Sequence, residues 1–320
     1  MSSKKIIILE NNSEIGAGTR GSSLGIAALK IAALKSRKKY FTKYKTEIIE
    51  NNNALLHEPD DSELAIRANG VLEIMTKVHD AVKSIVERNK FPLVLAGDHS
   101  SAAGTMAGVK AAHPDKKLGV IWIDAHADLH SPYTTPSGNM HGMPMAIALN
   151  ADNVEHRRNV VDQETAGVWN SMKAIGGEGQ KFSPENLVFI SVRDTEDPED
   201  YFIAENNIRQ YDVGDVRRRG AKEVSDEVLE YLKDCDIIYM SFDVDSLDCD
   251  LVSYGTGTPV THGLTENEAA GLINHFLIDK RLCCFEMVEI NPCLDNKQNA
   301  MAEAAMRILE NATNIIEKRG

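Results

Sequence analysis

The chain has 320 residues, with 35 Lys and Arg against 48 Asp and Glu and a formal charge of −13. An acidic surface repels phosphates and argues against a nucleic-acid partner, while it tolerates a cationic small molecule. Hydrophobic residues (42%) and charged residues (26%) are in ordinary globular proportion, which excludes disorder, and no apolar run nears the roughly 18 residues of a membrane helix.

Strand, loop and helix alternate along the chain. After a basic start at Lys4 and Lys5, residues 5–9 form a β-rich run, which Glu10, Asn11 and Asn12 cut too soon for a signal-peptide core. A loop punctuated by Gly16, Gly18 and Gly21 leads to a helical stretch over 23–34, and 62–90 is amphipathic. Strand 91–96 runs into Gly97-Asp98-His99-Ser100, followed by a helix over 101–112. Strand 118–123 runs into Asp124-Ala125-His126-Ala127-Asp128. Residues 150–183, polar and rich in glycine at 176–179, read as an irregular excursion. Strand 186–192 ends at Arg193-Asp194, and a helix over 223–234 precedes strand 236–242, which ends at Asp243-Val244-Asp245. A helix over 265–280, a strand over 282–288 ending at Glu289, and a helix over 299–318 close the chain. Ser225 and Thr265 are candidate helix caps, and Glu268 has the capping-box spacing from Thr265.

Short apolar strands alternating with amphipathic helices predict an α/β fold of three layers, a central mainly parallel β-sheet flanked by helices. No repeat or linker interrupts the pattern, so residues 1–320 are expected to form a single domain. The five cysteines are odd in number, crowd into the last third and lack C-x-x-C spacing. A disulfide framework or structural zinc is therefore not expected, a reducing cytoplasmic setting is, and Cys283-Cys284 read as small buried hydrophobes.

Ligands of open parallel sheets bind beyond the carboxyl ends of the strands. Here the apolar runs finish on His99, on Asp124, His126 and Asp128, on Asp243 and Asp245, and on Glu289. Brought to one rim, five carboxylates would repel one another unless something positive lay between them, and metal ions answer that need. In Asp124-x-His126-x-Asp128 and Asp243-x-Asp245 the donors share a side if the backbone stays extended. Histidine and carboxylate donors without cysteine favour Mn²⁺ over Fe, Co, Ni or Zn, and two His with four Asp suit two divalent ions that share bridging carboxylates. Each fragment alone has a blander reading. A histidine after a strand is more often satisfied structurally, and Asp243-x-Asp245 alone could be a turn. Their convergence carries the argument.

The segments A-G-D-H-S (96–100), D-A-H-A-D (124–128), S-G-N-M-H-G (137–142), S-F-D-V-D (241–245), G-T-G-T-P-V (255–260) and E-I-N-P (289–292) resemble the motifs of the ureohydrolases, most of all the arginases. The resemblance implies the arginase/deacetylase-like fold, two Mn²⁺ per subunit, and hydrolysis of L-arginine to L-ornithine and urea by a hydroxide held between the metals. It implies that His99, Asp124, Asp128 and Asp243 surround one ion, and Asp124, His126, Asp243 and Asp245 the other. It also implies a catalytic set of His141 as proton shuttle, Glu289 as holder of the guanidinium, and Asp128. Thr135, Ser137 and Asn139 match contacts to the substrate α-carboxylate, and Asp194 matches one on the α-amino side. A homo-oligomer, trimer or hexamer, is implied as well, with no nucleic-acid or membrane partner.

Three positions depart from the pattern. His130 stands where arginases commonly carry an asparagine on the α-carboxylate. After Arg193-Asp194 the chain reads T-E-D-P-E-D, one residue longer than usual, so either Glu196 or Asp197 could be the second α-amino contact. Asn267 replaces an arginine that some trimeric arginases use between subunits. The runner-up function is a ureohydrolase for agmatine or a guanidino acid; Ser137 and Asn139 argue for arginine, since agmatine has no α-carboxylate. Intact candidate ligands, His141 and Glu289 argue against a silent amino-acid sensor, and six ligands for two ions argue against a one-zinc deacetylase.

Overall fold

The computed structural model describes residues 5–35, 39–60 and 62–319, so the basic start at Lys4 lies outside the described residues. Eight strands, β1 (Ile6–Asn11), β2 (Lys45–Ile49), β3 (Phe91–Ala96), β4 (Leu118–Ile123), β5 (Leu187–Ile190), β6 (Arg209–Tyr211), β7 (Ile237–Asp243) and β8 (Leu282–Val288), form one sheet. Their order is β2-β1-β3-β8-β7-β4-β5-β6, and every neighbouring pair is parallel. β1, β3, β4, β5, β7 and β8 are buried at every position. That is why they read as continuous apolar runs: helices cover both faces, so neither side of a strand meets water.

On one face pack the helices Gly25–Lys35, Ala221–Tyr231, Glu266–Phe276 and Ala300–Lys318; on the other lie Ala68–Glu87, Ala102–Ala112, Pro144–Ala148 and Gln163–Lys173. Ala68–Glu87 buries Val71, Ile74, Met75, Val78, Val82 and Ile85, the three-and-four spacing of a helix with one apolar stripe. Thr265 and Glu268 make the expected reciprocal capping box of Glu266–Phe276.

Several sequence expectations need correction. Ser225 is no cap: it lies inside Ala221–Tyr231, wholly buried, and that helix begins after Gly220. The stretch 150–183 is not irregular throughout, because Asp162 caps the helix Gln163–Lys173, which buries Trp169 and Met172. The amphipathic segment 62–90 yields a helix only from Ala68. β2 and β6 escape the sequence reading because they are short sheet-edge strands with polar residues. Within the described residues, no helix is long and apolar enough to cross a membrane.

Candidate metal centre and cleft

Because the sheet is parallel, the carboxyl ends of its strands share one rim. β3, β8, β7, β4 and β5 are consecutive across the middle of the sheet, so His99, Glu289, Asp243 with Asp245, Asp124 with its neighbours, and Asp194 leave that rim from adjacent strands. Close backbone approach sets the edge: a Cβ on Gly97 would lie 2.3 Å from the Ser13 carbonyl oxygen, so only glycine fits.

The local backbone differs from the extended form expected for the alternating donors. β4 stops at Ile123, and Asp128 adopts the left-handed region at φ 53°. Val244–Ser246 form a 3₁₀ turn capped by Asp243, whose Oδ1 accepts the Asp245 amide at 2.8 Å. Turns, not pleat alternation, therefore bring these side chains together. Glu289 is also left-handed, at φ 66°, the kind of strained position that recurs at functional sites.

His99 Nδ1 lies 3.1 Å from Asp124 Oδ2 and 3.2 Å from both Asp128 Oδ2 and Asp243 Oδ2. None of the three is a hydrogen bond in direction, and both His99 Nδ1 and Asp124 Oδ2 are buried without a hydrogen-bond partner. His126 Nδ1 lies 2.9 Å from Asp245 Oδ2 and 3.5 Å from Asp124 Oδ1. Two donor groups able to hold an ion follow: His99, Asp124 and Asp128, and Asp124, His126 and Asp245, which share Asp124. Converging atoms that ignore hydrogen-bond directions are what a cation needs around it. The all-oxygen-and-imidazole donor set fits a divalent transition ion.

The electrostatics agree. Burial and the Asp124 charge push Asp128 up to about 7, and burial with neighbouring carboxylates also raises Asp243 and Asp245. Burial opposes the charged form of His99 and His126, yet the surrounding carboxylates raise both well above the ordinary range. Burial acts against Asp124 too, but the neighbouring imidazoles of His126 and His99 hold it low. A cluster that holds protons to relieve its own repulsion would exchange them for metal charge.

Glu289 Oε1 accepts the His99 amide at 2.9 Å and sits 3.1 Å from His141 Nδ1. Its Oε2 is buried without a partner. Burial works against a charged His141, but the hydrogen bond and charge of Glu289 prevail and set its pKa at about 9. A cleft of about 160 Å³ opens beside these groups, lined by His99, His126, Asp128, His130, His141, Asp194, Glu196, Asp243 and Asp245 among others.

The remaining candidates divide. His130 lines the cleft with Nε2 3.3 Å from Glu199 Oε2, and burial lowers its pKa to about 4. Asp194 lies 3.6 Å from His126 Nε2, and that imidazole lowers its pKa. Of the two α-amino alternatives, Glu196 lines the cleft and caps the helix Asp197–Glu205, whereas the Asp197 side chain is 76% exposed beside Arg158. Thr135, Ser137 and Asn139 do not line the cleft. They build the loop that carries His141, with Thr135 Oγ1 accepting the Ser137 and Gly138 amides.

Sequence reasoning missed Thr258, Glu199 and Arg193. Thr258 donates to Asp245 Oδ2 at 3.1 Å; it stands within G-T-G-T-P-V, and that motif was its only signal. Glu199, lifted by burial to about 7, completes the capping box with Glu196, and that three-residue spacing could have exposed it. The Arg193 guanidinium donates to the carbonyls of Ser191, Asp245, Val260 and Thr261, which ties the 260–261 loop to the rim.

The family model for the Arginase family matches residues 4–314. The chain is 37% identical to the arginase of Bacillus caldovelox over 309 residues, covering 95% of this chain and 97% of that one. It is 35% identical to the arginase of Bacillus subtilis strain 168 over 311 residues, covering 96% and 97%. The crystal structure of arginase from Bacillus subtilis subsp. subtilis strain 168 superposes with a TM-score of 0.81 at 35% identity, covering 97% and 98%.

Proposed function

The chain belongs to the arginase family of hydrolases, and from that premise we propose that it binds two Mn²⁺ ions and hydrolyses L-arginine to L-ornithine and urea. The observation that carries the reading is the sharing of Asp124 by two donor groups, one of which includes His99, whose amide is held by a Glu289 carboxylate with its other oxygen unpartnered. His99, Asp124, Asp128 and Asp243 would hold one ion, and Asp124, His126, Asp243 and Asp245 the other. Bound there, the ions supply the positive charge that turns water into a nucleophile at neutral pH.

The rest of the chemistry belongs to the side chains. A guanidinium carbon is a poor electrophile because its charge is spread over three nitrogens, so orientation matters. Glu289 Oε2, free to accept, holds the planar cation in place. Asp128, proposed as a ligand, also lines the cleft beside His141, so its carboxylate faces the place where water and substrate would meet. His141, kept cationic by Glu289, delivers a proton to the departing ornithine nitrogen, which cannot leave as an anion. Asp194 and Glu196 meet the α-amino group of the substrate, and Thr135, Ser137 and Asn139 shape the loop on its α-carboxylate side. We assign this activity to residues 1–320 as one domain, acting as a homo-oligomer in the cytoplasm; the family resemblance supports the oligomer.

One observation favours a second reading, a ureohydrolase for agmatine or a guanidino acid. His130, at the position expected to meet the α-carboxylate, already faces Glu199 Oε2. Urea release measured side by side from L-arginine, agmatine and 4-guanidinobutyrate decides between them. Fastest turnover of L-arginine is expected, and faster turnover of either other compound overturns the substrate assignment.

A further inference from the structure

Arg158 is tied to the loop that follows His130 and reaches across to Glu196. The amides of Arg158 and Asn159 both donate to the Tyr133 carbonyl, at 2.8 and 3.0 Å. The side-chain amide of Asn159 donates to the carbonyls of Pro132 and Thr135 at 3.0 and 2.8 Å. These bonds fix the backbone of Arg158, so its side chain does not start from a loose tether. The guanidinium donates from Nη1 to Glu196 Oε2 at 2.6 Å, and Nη2 lies 3.6 Å from Asp197 Oδ2. A half-exposed ion pair adds little to stability, so the fold alone is a weak reason for it. The cleft supplies a better one. Glu196 lines it; six of the lining residues are Asp or Glu, and none is Lys or Arg. His130 faces Glu199 at 3.3 Å, and the Arg193 guanidinium is spent on four carbonyls. A ligand that carries a carboxylate into such a cleft needs a cation beside it.

We propose that the ion pair of Arg158 with Glu196 receives the zwitterionic end of the substrate, and that Arg158 is the residue that selects for its α-carboxylate. The inference rests on the reading of the chain as a hydrolase of L-arginine. The substrate inserts charge by charge: its α-ammonium goes to Glu196 and its α-carboxylate to Arg158, so one ion pair is exchanged for two. A guanidinium carries five N–H donors in a planar fork, which matches both oxygens of a carboxylate. Agmatine keeps the amine and lacks the carboxylate. It takes Glu196 from Arg158 and offers nothing in return. Arg158 stays in contact with water, so the penalty on agmatine is moderate rather than absolute.

The test compares the full chain, reconstituted with Mn²⁺, with its Arg158→Gln and Arg158→Lys variants by two ratios. One is kcat/KM for L-arginine over that for agmatine, from urea release. The other is the calorimetric affinity for L-ornithine over that for putrescine, the same diamine without the carboxylate. The wild type is expected to favour the carboxylate-bearing member of each pair. Arg158→Gln is expected to lower both ratios by about 10-fold, mainly through a higher KM for L-arginine. Arg158→Lys, which keeps the charge and loses the fork, is expected to lose less. A merely structural role would weaken both members of a pair alike and leave the ratios in place. Ratios within about twofold of the wild type in Arg158→Gln overturn the proposal, as does a wild type that binds L-ornithine no better than putrescine. A wild type that releases urea from neither substrate would overturn the hydrolase reading instead. The binding ratio then still judges Arg158: a fall in Arg158→Gln supports the assignment, and an unchanged ratio defeats it.

Discussion

At the scale of single residues, Glu289 and His141, beside the proposed metal centre, are assigned different tasks. Glu289→Gln keeps the shape of the side chain but removes the charge proposed to orient the guanidinium. Metal content should stay at the wild-type level while kcat falls about 10²–10³-fold, and full activity with normal metal content would refute the assigned role. His141 has a pKa raised to about 9, so its cation, the proposed proton donor, is present below that pH and is lost above it. The wild-type rate should therefore decline on the alkaline side near pH 9. His141→Asn should be slower by about 10²–10⁴-fold and lack that limb, as pH–rate profiles of the two proteins would reveal. The donors of the centre were legible because each follows an apolar run, where a polar cluster has little structural purpose. Thr258 and Glu199 were not, since a lone threonine in a loop and a glutamate in a helix's first turn look like ordinary punctuation.

At the scale of elements, caps and edge contacts set stability away from the centre. Thr265→Ala removes the acceptor of the Glu268 amide and should cost about 1 kcal/mol in urea unfolding, with no change in metal binding. Glu47 on β2 is gripped by Arg88 through two hydrogen bonds of 3.0 and 2.9 Å, which hold its pKa at about 2 against 4.5 for a free glutamate. Its folded pKa is depressed, so the contribution is present above pH 4.5 and disappears as the pH falls toward 2. Both side chains are partly exposed, so solvent screening limits the effect, and Arg88→Ala should cost about 0.5–1 kcal/mol at pH 7 and progressively less as the pH falls through about 2. Six strands could be read from the sequence because burial on both faces leaves an unbroken apolar signature. β2, with Lys45, Thr46 and Glu47, and β6, Arg209-Gln210-Tyr211, could not, because an edge strand with a solvated side has no such signature. The helix Gln163–Lys173 hid within a polar stretch because its buried stripe is narrow.

At the scale of the whole molecule, the topology makes the site. Strands far apart in sequence become neighbours in the order β3-β8-β7-β4-β5, and parallel pairing points their carboxyl ends the same way. The sequence could suggest that the polar clusters meet on one rim, but not which strands adjoin, because pairing order depends on long-range packing. A fold that gathers so many buried carboxylates carries their repulsion until a cation joins them. Mn²⁺ at about 100 times its Kd should stabilise the chain by about 2.7 kcal/mol, raising Tm by several degrees in a thermal melt, and chelation should reverse the gain. The most direct test of the central claim is the number of Mn²⁺ ions bound per chain by the metal-stripped protein after reconstitution and desalting. Two ions per chain are predicted; none, or a single ion at saturation, would contradict the account.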